Sequence, residues 1–203
     1  EYMTDEDSDN YDVNEEFESK PSSDQPQLTL SDIRDYVTDL MNTSKAWYYT
    51  WFPQDAKGEL DDEEIKWMQR INRLGIAYFR PLITAVFYKR IIVKTISAKE
   101  VVGILESIER FIFINFRLQT TRSHYGSSEF SIAAKDLHKG TKDIKTIVDM
   151  LEERVNRSFE SGSSTIKTKN VQVMVEKLFE QKDDERAGFY RWSAIHYFLY
   201  EYN

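Results

Sequence analysis

Apolar residues recur along this chain at the spacing of α-helices, and few residues interrupt them. Ile33, Tyr36, Val37, Leu40 and Met41, for example, fall at the i, i+3, i+4, i+7 and i+8 positions of one helix face. The 203 residues include only 7 Gly and 4 Pro, which disfavours a turn-rich β fold. The sequence therefore predicts an all-α fold, an irregular bundle of about seven to eight helices.

Several of the predicted helices have recognisable ends. Ser31 is a suitable N-cap for the first helix, which must end by Pro53. Ser97, with Glu100 three residues later, forms a capping-box pattern that marks the start of another helix. Gly140 is suited to end a short helix that Ser127 or Ser128 caps, because glycine tolerates the left-handed backbone found there.

The segment that follows Pro81 is the most apolar part of the chain. Pro81 either begins a new helix or kinks the preceding one, which is capped by Asp61 or Asp62. Residues 82–93 are apolar on nearly all sides, and this pattern predicts a central, buried helix. Further along, residues 171–179 match a helix better than a strand, and an aromatic-rich last helix is predicted over residues 189–202.

Negative charge is concentrated in the first 27 residues. Ten acids there accompany a single base, Lys20, whereas residues 28–203 hold the other 25 of 35 acids and 26 of 27 bases. Because residues 1–27 also contain few apolar side chains, we predict a largely disordered acidic segment or linker. Residues 28–203 are then the helical domain. Docking of the acidic segment on a basic partner is an alternative interpretation.

The ends of the chain and its lack of cysteine bear on its context. The sequence begins without Met and stops inside an amphipathic pattern, which we interpret as a fragment of a longer protein. It contains no Cys, no signal peptide and no apolar run long enough to span a membrane. A cytoplasmic location without membrane contact is therefore predicted, while the oligomeric state is left open.

The sequence contains no pattern typical of a catalytic or cofactor site. His124, His138 and His196 are spaced unlike zinc ligands. Neither a phosphate-binding glycine loop nor a GxSxG nucleophile elbow occurs. We therefore predict no catalytic residue, no metal, no cofactor and no enzymatic activity for this chain.

Two groups of residues are candidates for contacts with other molecules. A polar, basic cluster lies at the end of the helix that follows Ser97 and in the next loop: Arg110, Arg117, Arg122, His124 and Tyr125. Such residues either complement the helix dipole or contact phosphate or a partner carboxylate. The second group is aromatic and suits either core packing or docking of another domain: Trp47, Tyr48, Trp51, Phe52, Tyr190 and Trp192.

Three stretches of the chain can be compared with a known family. Residues 108–118 read IERFIFINFRL, residues 130–138 read FSIAAKDLH, and residues 189–202 read FYRWSAIHYFLYEY. These stretches resemble the central helical region of GmrSD-type proteins, which are large bacterial phage-defence proteins related to modification-dependent restriction endonucleases. In that family a ParB-like domain with a DGQQR signature is associated with NTP use, and an HNH-type domain cuts DNA. Neither signature occurs in this chain, so no catalytic residue of the family carries over.

The resemblance implies a non-catalytic role for the chain. It would be a helical linker or scaffold that positions an NTP-sensing ParB-like domain relative to an HNH nuclease. Its partners would be the other domains of the same parent protein, with DNA contacted through the parent. Two alternatives remain open: a helical nucleic-acid-binding module, and a stand-alone protein–protein adaptor with an acidic tail.

Overall fold

The computed structural model describes residues 28–75, 77–118, 125–160, 176 and 192–202. The chain divides into two units, residues 1–37 and 38–203. The disorder predicted for residues 1–27 lies outside the described residues, as does the helix predicted over 171–179, apart from the single helical residue Glu176. Both stay predictions, and so does the domain boundary placed at residue 27.

The described residues of the first unit contain the start of helix α1, which spans Leu30–Trp51. The Thr29 N–H donates to Asp32 Oδ2 at 2.8 Å, and the Asp32 N–H donates to Thr29 Oγ1 at 3.2 Å. These reciprocal bonds form a helix cap, and the bond from the Thr29 backbone lowers the pKa of Asp32. The predicted start after Ser31 is therefore wrong, because Thr29 supplies the cap.

The second unit is built from helices, and the described residues form the all-α, multi-helix arrangement that the sequence predicts. A 3₁₀ turn (Pro53–Ala56) follows α1, and π-helical turns extend α3 and α4 over Tyr88–Val93 and Phe113–Leu118. The remaining helices within the described residues are α2 (Asp62–Leu74), α3 (Arg80–Phe87), α4 (Ala98–Ile112), α5 (Ser127–Lys139), α6 (Ile144–Glu160) and α7 (Ile195–Tyr202).

Most of the predicted helix ends are confirmed. The Ser97 N–H donates to Glu100 Oε2 at 2.7 Å and the Glu100 N–H donates to Ser97 Oγ at 3.3 Å, which is the predicted capping box. Pro81 lies in the first turn of α3 and so begins a helix. Gly140 ends α5 with a left-handed φ of 76°. The predicted cap of α5 by Ser127 or Ser128 is wrong, because the N-cap residue is Gly126 and both serines lie within the helix.

The core lies where α3 packs against α5, and where α2 and α6 pack against α4. Phe79, Phe111 and Phe130 are fully buried, with ring centroids 4.4 Å apart for Phe79 and Phe130 and 5.1 Å apart for Phe111 and Phe130. Such aromatic pairs combine a large buried apolar area with favourable ring geometry. The three rings join the start of α3 to α4 and α5.

Two predicted helix ranges need correction. Residues 82–87 are buried as expected, but the apolar run of Ile91, Ile92 and Val93 is partly exposed. The i→i+5 winding of this turn changes the helix phase, and the turn ends at left-handed Lys94, so these side chains lie at the rim of the core. Among the described residues the last helix begins at Ile195, because residues 193 and 194 form a turn, and residues 189–191 of the predicted range lie outside the described residues. Of the helices described, none has the length and apolar character needed to cross a membrane.

Candidate functional site

The second half of α1 carries apolar or aromatic side chains on two opposite faces. Ala46, Tyr49 and Thr50 are buried and attach the helix to the rest of the second unit. Since successive residues turn by about 100° around a helix, Trp47 and Trp51 point away from this buried face. This packed face anchors the second half of α1 in the second unit.

The opposite face is exposed over several turns. Its apolar side chains are between 41% and 68% exposed, far above the level of core residues. Large contiguous apolar patches of this kind usually mark sites that bind another molecule. We call the patch the α1 surface, and it consists of Leu40, Met41, Trp47, Tyr48, Trp51 and Phe52.

Three of the aromatic side chains of the α1 surface are held in place despite their exposure. The Tyr48 hydroxyl donates to Asp55 Oδ2 at 2.6 Å, and this bond raises the pKa of Tyr48. The Tyr48 and Phe52 ring centroids lie 4.9 Å apart. Trp51 lies under the guanidinium of Arg80, whose Cζ is 3.4 Å from the ring centroid. The surface is therefore ordered before any partner binds.

Arg80 is a buried charge that joins three helices. Its Nη1 donates to the Thr50 carbonyl at 2.6 Å, and its Nη2 donates to Asn72 Oδ1 at 3.0 Å. The side chain is only 7% exposed, and burial lowers its pKa. Among the described residues no carboxylate pairs with it. Neutral oxygens and the Trp51 ring therefore stabilise the guanidinium.

The aromatic residues predicted to dock another domain fall into three groups. Trp47, Tyr48, Trp51 and Phe52 lie together on the α1 surface. Trp192 is buried, where its Nε1 donates to the Arg117 carbonyl at 2.6 Å and its ring packs 5.9 Å from Phe113. Its side chain is thus part of the internal packing. Tyr190 lies outside the described residues.

The predicted basic cluster is only partly described. Arg110 is exposed, whereas Arg117 is half-buried and its guanidinium donates to the Leu74 carbonyl at the end of α2. Tyr125 is half-buried against Phe111, with ring centroids 6.1 Å apart. Arg117 and Tyr125 therefore have structural partners, and Arg110 alone projects from the described part of the cluster. Arg122 and His124 lie outside the described residues.

A charged network beside α7 was not predicted from the sequence. Glu109 of α4 is 4% exposed and accepts from the Tyr197 hydroxyl, and Arg70 Nη2 lies 3.7 Å from Glu109 Oε1. Burial, and then the bond to Glu109, raise the pKa of Tyr197. Arg70 Nε lies 3.2 Å from Glu201 Oε2, and Arg73 Nε donates to Glu201 Oε1 at 2.7 Å. The signal in the sequence was an acid, Glu109, within the apolar face of α4.

An acidic pocket lies between the start of α2 and the start of α4. It encloses about 220 Å³ and is lined by Asp61, Glu63, Glu64, Ala98, Lys99 and Val102. Glu64 is fully buried and accepts from Arg90 Nε at 3.0 Å and from the Asp61 N–H at 2.6 Å. Its carboxylate is therefore occupied by a structural ion pair and by the cap of α2.

Neither metal-binding side chains in the described residues nor a known relative indicates a function for this chain. In the parts of the chain that the structure describes, no group of three or more metal-binding side chains occurs. The chain matches no model of a known protein family, no curated protein and no solved structure. The exposed aromatic face of α1 is the feature of the described residues that bears most directly on function.

Proposed function

We propose that the chain is a non-catalytic helical scaffold that contacts another polypeptide through the α1 surface. The observation that carries this proposal is the pair of opposite apolar faces on one helix. The buried face packs the second half of α1 into the second unit, whereas the exposed face makes only edge contacts there, of Tyr48 with Asp55 and of Trp51 with Arg80, that leave about half of each ring exposed. An exposed apolar face of this size is unfavourable in water unless a partner covers it.

The finer form of the proposal follows the resemblance of the sequence to GmrSD-type proteins. The scaffold then belongs to a longer cytoplasmic defence protein and positions an NTP-sensing ParB-like domain relative to an HNH nuclease. Its mechanism is positional: helices that are fixed by a dense core hold the attached domains at a constant geometry. A DGQQR motif upstream and an HNH motif downstream in the same reading frame would support this form.

The absence of catalysis is tested on the chain itself. The purified protein is incubated with modified and unmodified DNA, nucleoside triphosphates and Mg²⁺, and the products are separated on a gel. We expect intact DNA and unchanged nucleotide. Cleavage of DNA or hydrolysis of nucleotide by the chain alone, at a rate that follows the protein through purification, would overturn the proposal.

The scaffold role is tested in the full-length parent. Trp47→Glu places a charge in the α1 surface and is expected to reduce NTP-dependent DNA cleavage at least tenfold without unfolding the chain. Ile132→Glu is the matched control, because Ile132 is also an apolar side chain, 54% exposed, but lies on α5. Equal activity of the two variants would contradict a contact role for the α1 surface.

Direct binding of nucleic acid through the predicted basic cluster receives less support from the structure. Sequence-independent binding needs several free cations along one surface, yet Arg117 is engaged by the Leu74 carbonyl. Arg110 is exposed and could contribute a single contact. A mobility shift with duplex DNA at low salt that is lost in Arg110→Ala would favour this second function over the scaffold.

A further inference from the structure

Two segments that join helices in the second unit are rich in lysine. Residues 88–95 lead from α3 to α4, and residues 135–146 lead from α5 to α6. Together they hold 7 of the 27 bases of the chain and only 2 of its 35 acids, a local excess of 5 positive charges in a chain of net charge −8. We call the lysines of both segments the lysine surface, and it consists of Lys89, Lys94, Lys135, Lys139, Lys142 and Lys145.

The two segments lie side by side because α3 packs against α5. The Tyr88 and His138 ring centroids are 4.8 Å apart. Lys89 Nζ lies 3.9 Å from the position that a Cβ atom would occupy at Gly140. The lysines that lie far apart along the chain therefore belong to one end of the second unit.

Most of these lysines have no carboxylate partner among the described residues. Only Lys142 forms an ion pair there, with its Nζ 3.0 Å from Asp136 Oδ2. The nearby acids Asp39 and Asp143 bind other groups: Asp39 Oδ1 accepts from the Tyr88 hydroxyl at 2.6 Å, and Asp143 Oδ1 accepts from the Thr146 N–H at 2.8 Å. Four of the lysines are also exposed to solvent: Lys94, Lys135, Lys139 and Lys145.

Helix stability explains only part of this arrangement. A cation in the last turn of a helix is favoured by the helix dipole, and Lys139 occupies such a position in α5. Lys145, however, lies in the first turn of α6, where the dipole disfavours a cation. Lys94 has a left-handed φ of 59°, which is uncommon for a residue other than glycine. The surface therefore keeps charge that the helices do not need.

We propose that the lysine surface binds the phosphate backbone of a nucleic-acid duplex. Lysine contacts phosphate as a point charge, without the fixed geometry that arginine imposes. The inference does not rest on the α1 surface. It also differs from the predicted basic cluster, in which Arg110 alone projects from the described part.

The small apolar area of the lysine surface favours a duplex over an acidic polypeptide. Among the described residues of the two segments, Val93 is the only large apolar side chain that is exposed. The free energy of binding must then come mainly from the release of counterions held by the partner. A duplex carries one charge per about 1.7 Å and holds a condensed counterion atmosphere. An acidic peptide is less densely charged and releases fewer ions.

The number of lysines sets the expected strength and its dependence on salt. The five lysines without an ion pair can contact roughly four phosphates together, which corresponds to a slope of about −3.5 for log K against log salt. Binding without sequence preference then has a dissociation constant on the order of 10⁻⁴ M at physiological salt, and on the order of 10⁻⁶ M at about 50 mM salt.

Fluorescence anisotropy of a short labelled DNA duplex tests this binding between about 50 and 200 mM salt. Lys94→Gln combined with Lys139→Gln is expected to weaken binding at least tenfold at the lowest salt and to reduce the slope to about −2, because two phosphate contacts are lost. Circular dichroism shows whether the variant remains helical.

The matched control is Arg110→Gln combined with Arg157→Gln. It changes the net charge equally, but each arginine lies about 18 Å along α4 or α6 from the end near the lysine surface. We expect binding by this variant to be reduced less than twofold. A native chain that does not bind at the lowest salt would overturn the inference, and so would equal losses in the two variants.

Competition tests the assignment to nucleic acid. Unlabelled duplex should displace the labelled duplex, whereas polyglutamate at the same concentration of charge should displace much less of it. Equal displacement by the two competitors would overturn the assignment to a duplex in favour of an acidic polypeptide. None of these variants alters the α1 surface, so failure here is distinct from failure of the proposed function.

Discussion

Arg80 shows how a single residue can fix the position of a surface. Its guanidinium donates hydrogen bonds to Thr50 of α1 and to Asn72 of α2, and it covers one face of the Trp51 ring. A planar group with several donors is needed to make these contacts together, and lysine cannot replace it. The same residue is therefore linked to both the stability of the fold and the order of the α1 surface.

We predict that Arg80→Lys lowers the free energy of unfolding by about 2–3 kcal/mol, because buried acceptors lose their donors. Urea denaturation followed by circular dichroism measures the change. Arg110→Lys serves as the control, since Arg110 is exposed and its replacement should change stability by less than about 0.5 kcal/mol. Equal stability of Arg80→Lys and the native chain would show that the buried contacts of Arg80 are unimportant.

Tyr78 presents the opposite case of a buried polar group without a partner. Its hydroxyl is buried and has no hydrogen-bond partner among the described residues, while its ring stacks on Phe79 at 5.0 Å. We predict that Tyr78→Phe raises the free energy of unfolding by about 1 kcal/mol at pH 7, because it removes an unpaired buried hydroxyl. Tyr36→Phe, at an exposed ring, should leave stability unchanged. A loss on Tyr78→Phe would show that the hydroxyl has a bound water or another partner.

The same hydroxyl makes stability sensitive to alkaline pH. Burial raises the pKa of Tyr78 above its ordinary value of 10.0, so the folded chain keeps the proton when the unfolded chain releases it. Ionisation of this hydroxyl therefore leaves the free energy of unfolding unchanged below pH 10 and lowers it as the pH rises further. We predict a smaller fall in unfolding free energy between pH 9 and 11 for Tyr78→Phe than for the native chain. Parallel curves for the two proteins would contradict this assignment.

At the level of elements, α7 is attached by charged and polar contacts as well as by the packing of its buried side chains. Glu201 accepts from Arg73 of α2, and Arg70 Nε lies near its other carboxylate oxygen. The Tyr197 hydroxyl donates a hydrogen bond to the carboxylate of Glu109 in α4. An eight-residue helix is too short to be stable alone, so these contacts and the buried Trp192 and Tyr197 rings determine whether α7 stays folded on the second unit.

We predict that Glu201→Gln loosens α7 without unfolding the rest of the chain. Loss of a charge-assisted contact worth about 1.5–3 kcal/mol corresponds to amide exchange at least about tenfold faster in α7. Hydrogen exchange with mass spectrometry measures the rate for each helix. Glu106→Gln is the control, because Glu106 lies on the exposed side of α4. Unchanged exchange in α7, or equal acceleration in every helix, would contradict the proposed attachment.

Some element ends were predictable because their causes are local. Ser97 and Glu100 cap α4 through each other, Pro81 suits only a first turn, and Gly140 adopts a backbone that other residues avoid. The start of α1 was wrong because Thr29 and Ser31 are both capable caps. The pairing of Thr29 with Asp32 decides between them.

Contacts between elements were less predictable from the sequence. The apolar pattern gave no reason to pair Glu109 with Tyr197, since the two are distant along the chain. The sequence pattern also placed Trp47 and Trp192 in the same group of aromatic docking candidates. Only the packing of neighbouring helices separates the exposed Trp47 from the buried Trp192. Burial depends on which helices meet, and a single sequence leaves that open.

At the scale of the whole molecule, the two opposite faces of α1 have different roles. Its packed side contributes to the core of the second unit, and its other side offers an apolar surface for association. Adjacent residues therefore have different tasks: Ala46 is 1% exposed and Trp47 is 41% exposed. If association occurs through the α1 surface, the melting temperature of the native chain should rise with the concentration of its partner.

The most direct measurement compares Ala46→Glu with Trp47→Glu in thermal unfolding. A buried, unpaired charge should remove more than about 3 kcal/mol of stability in Ala46→Glu. Trp47→Glu should stay folded and lose less than about 1 kcal/mol of stability. If Trp47→Glu unfolds the chain as fully as Ala46→Glu does, the α1 surface belongs to the core and is not available to a partner.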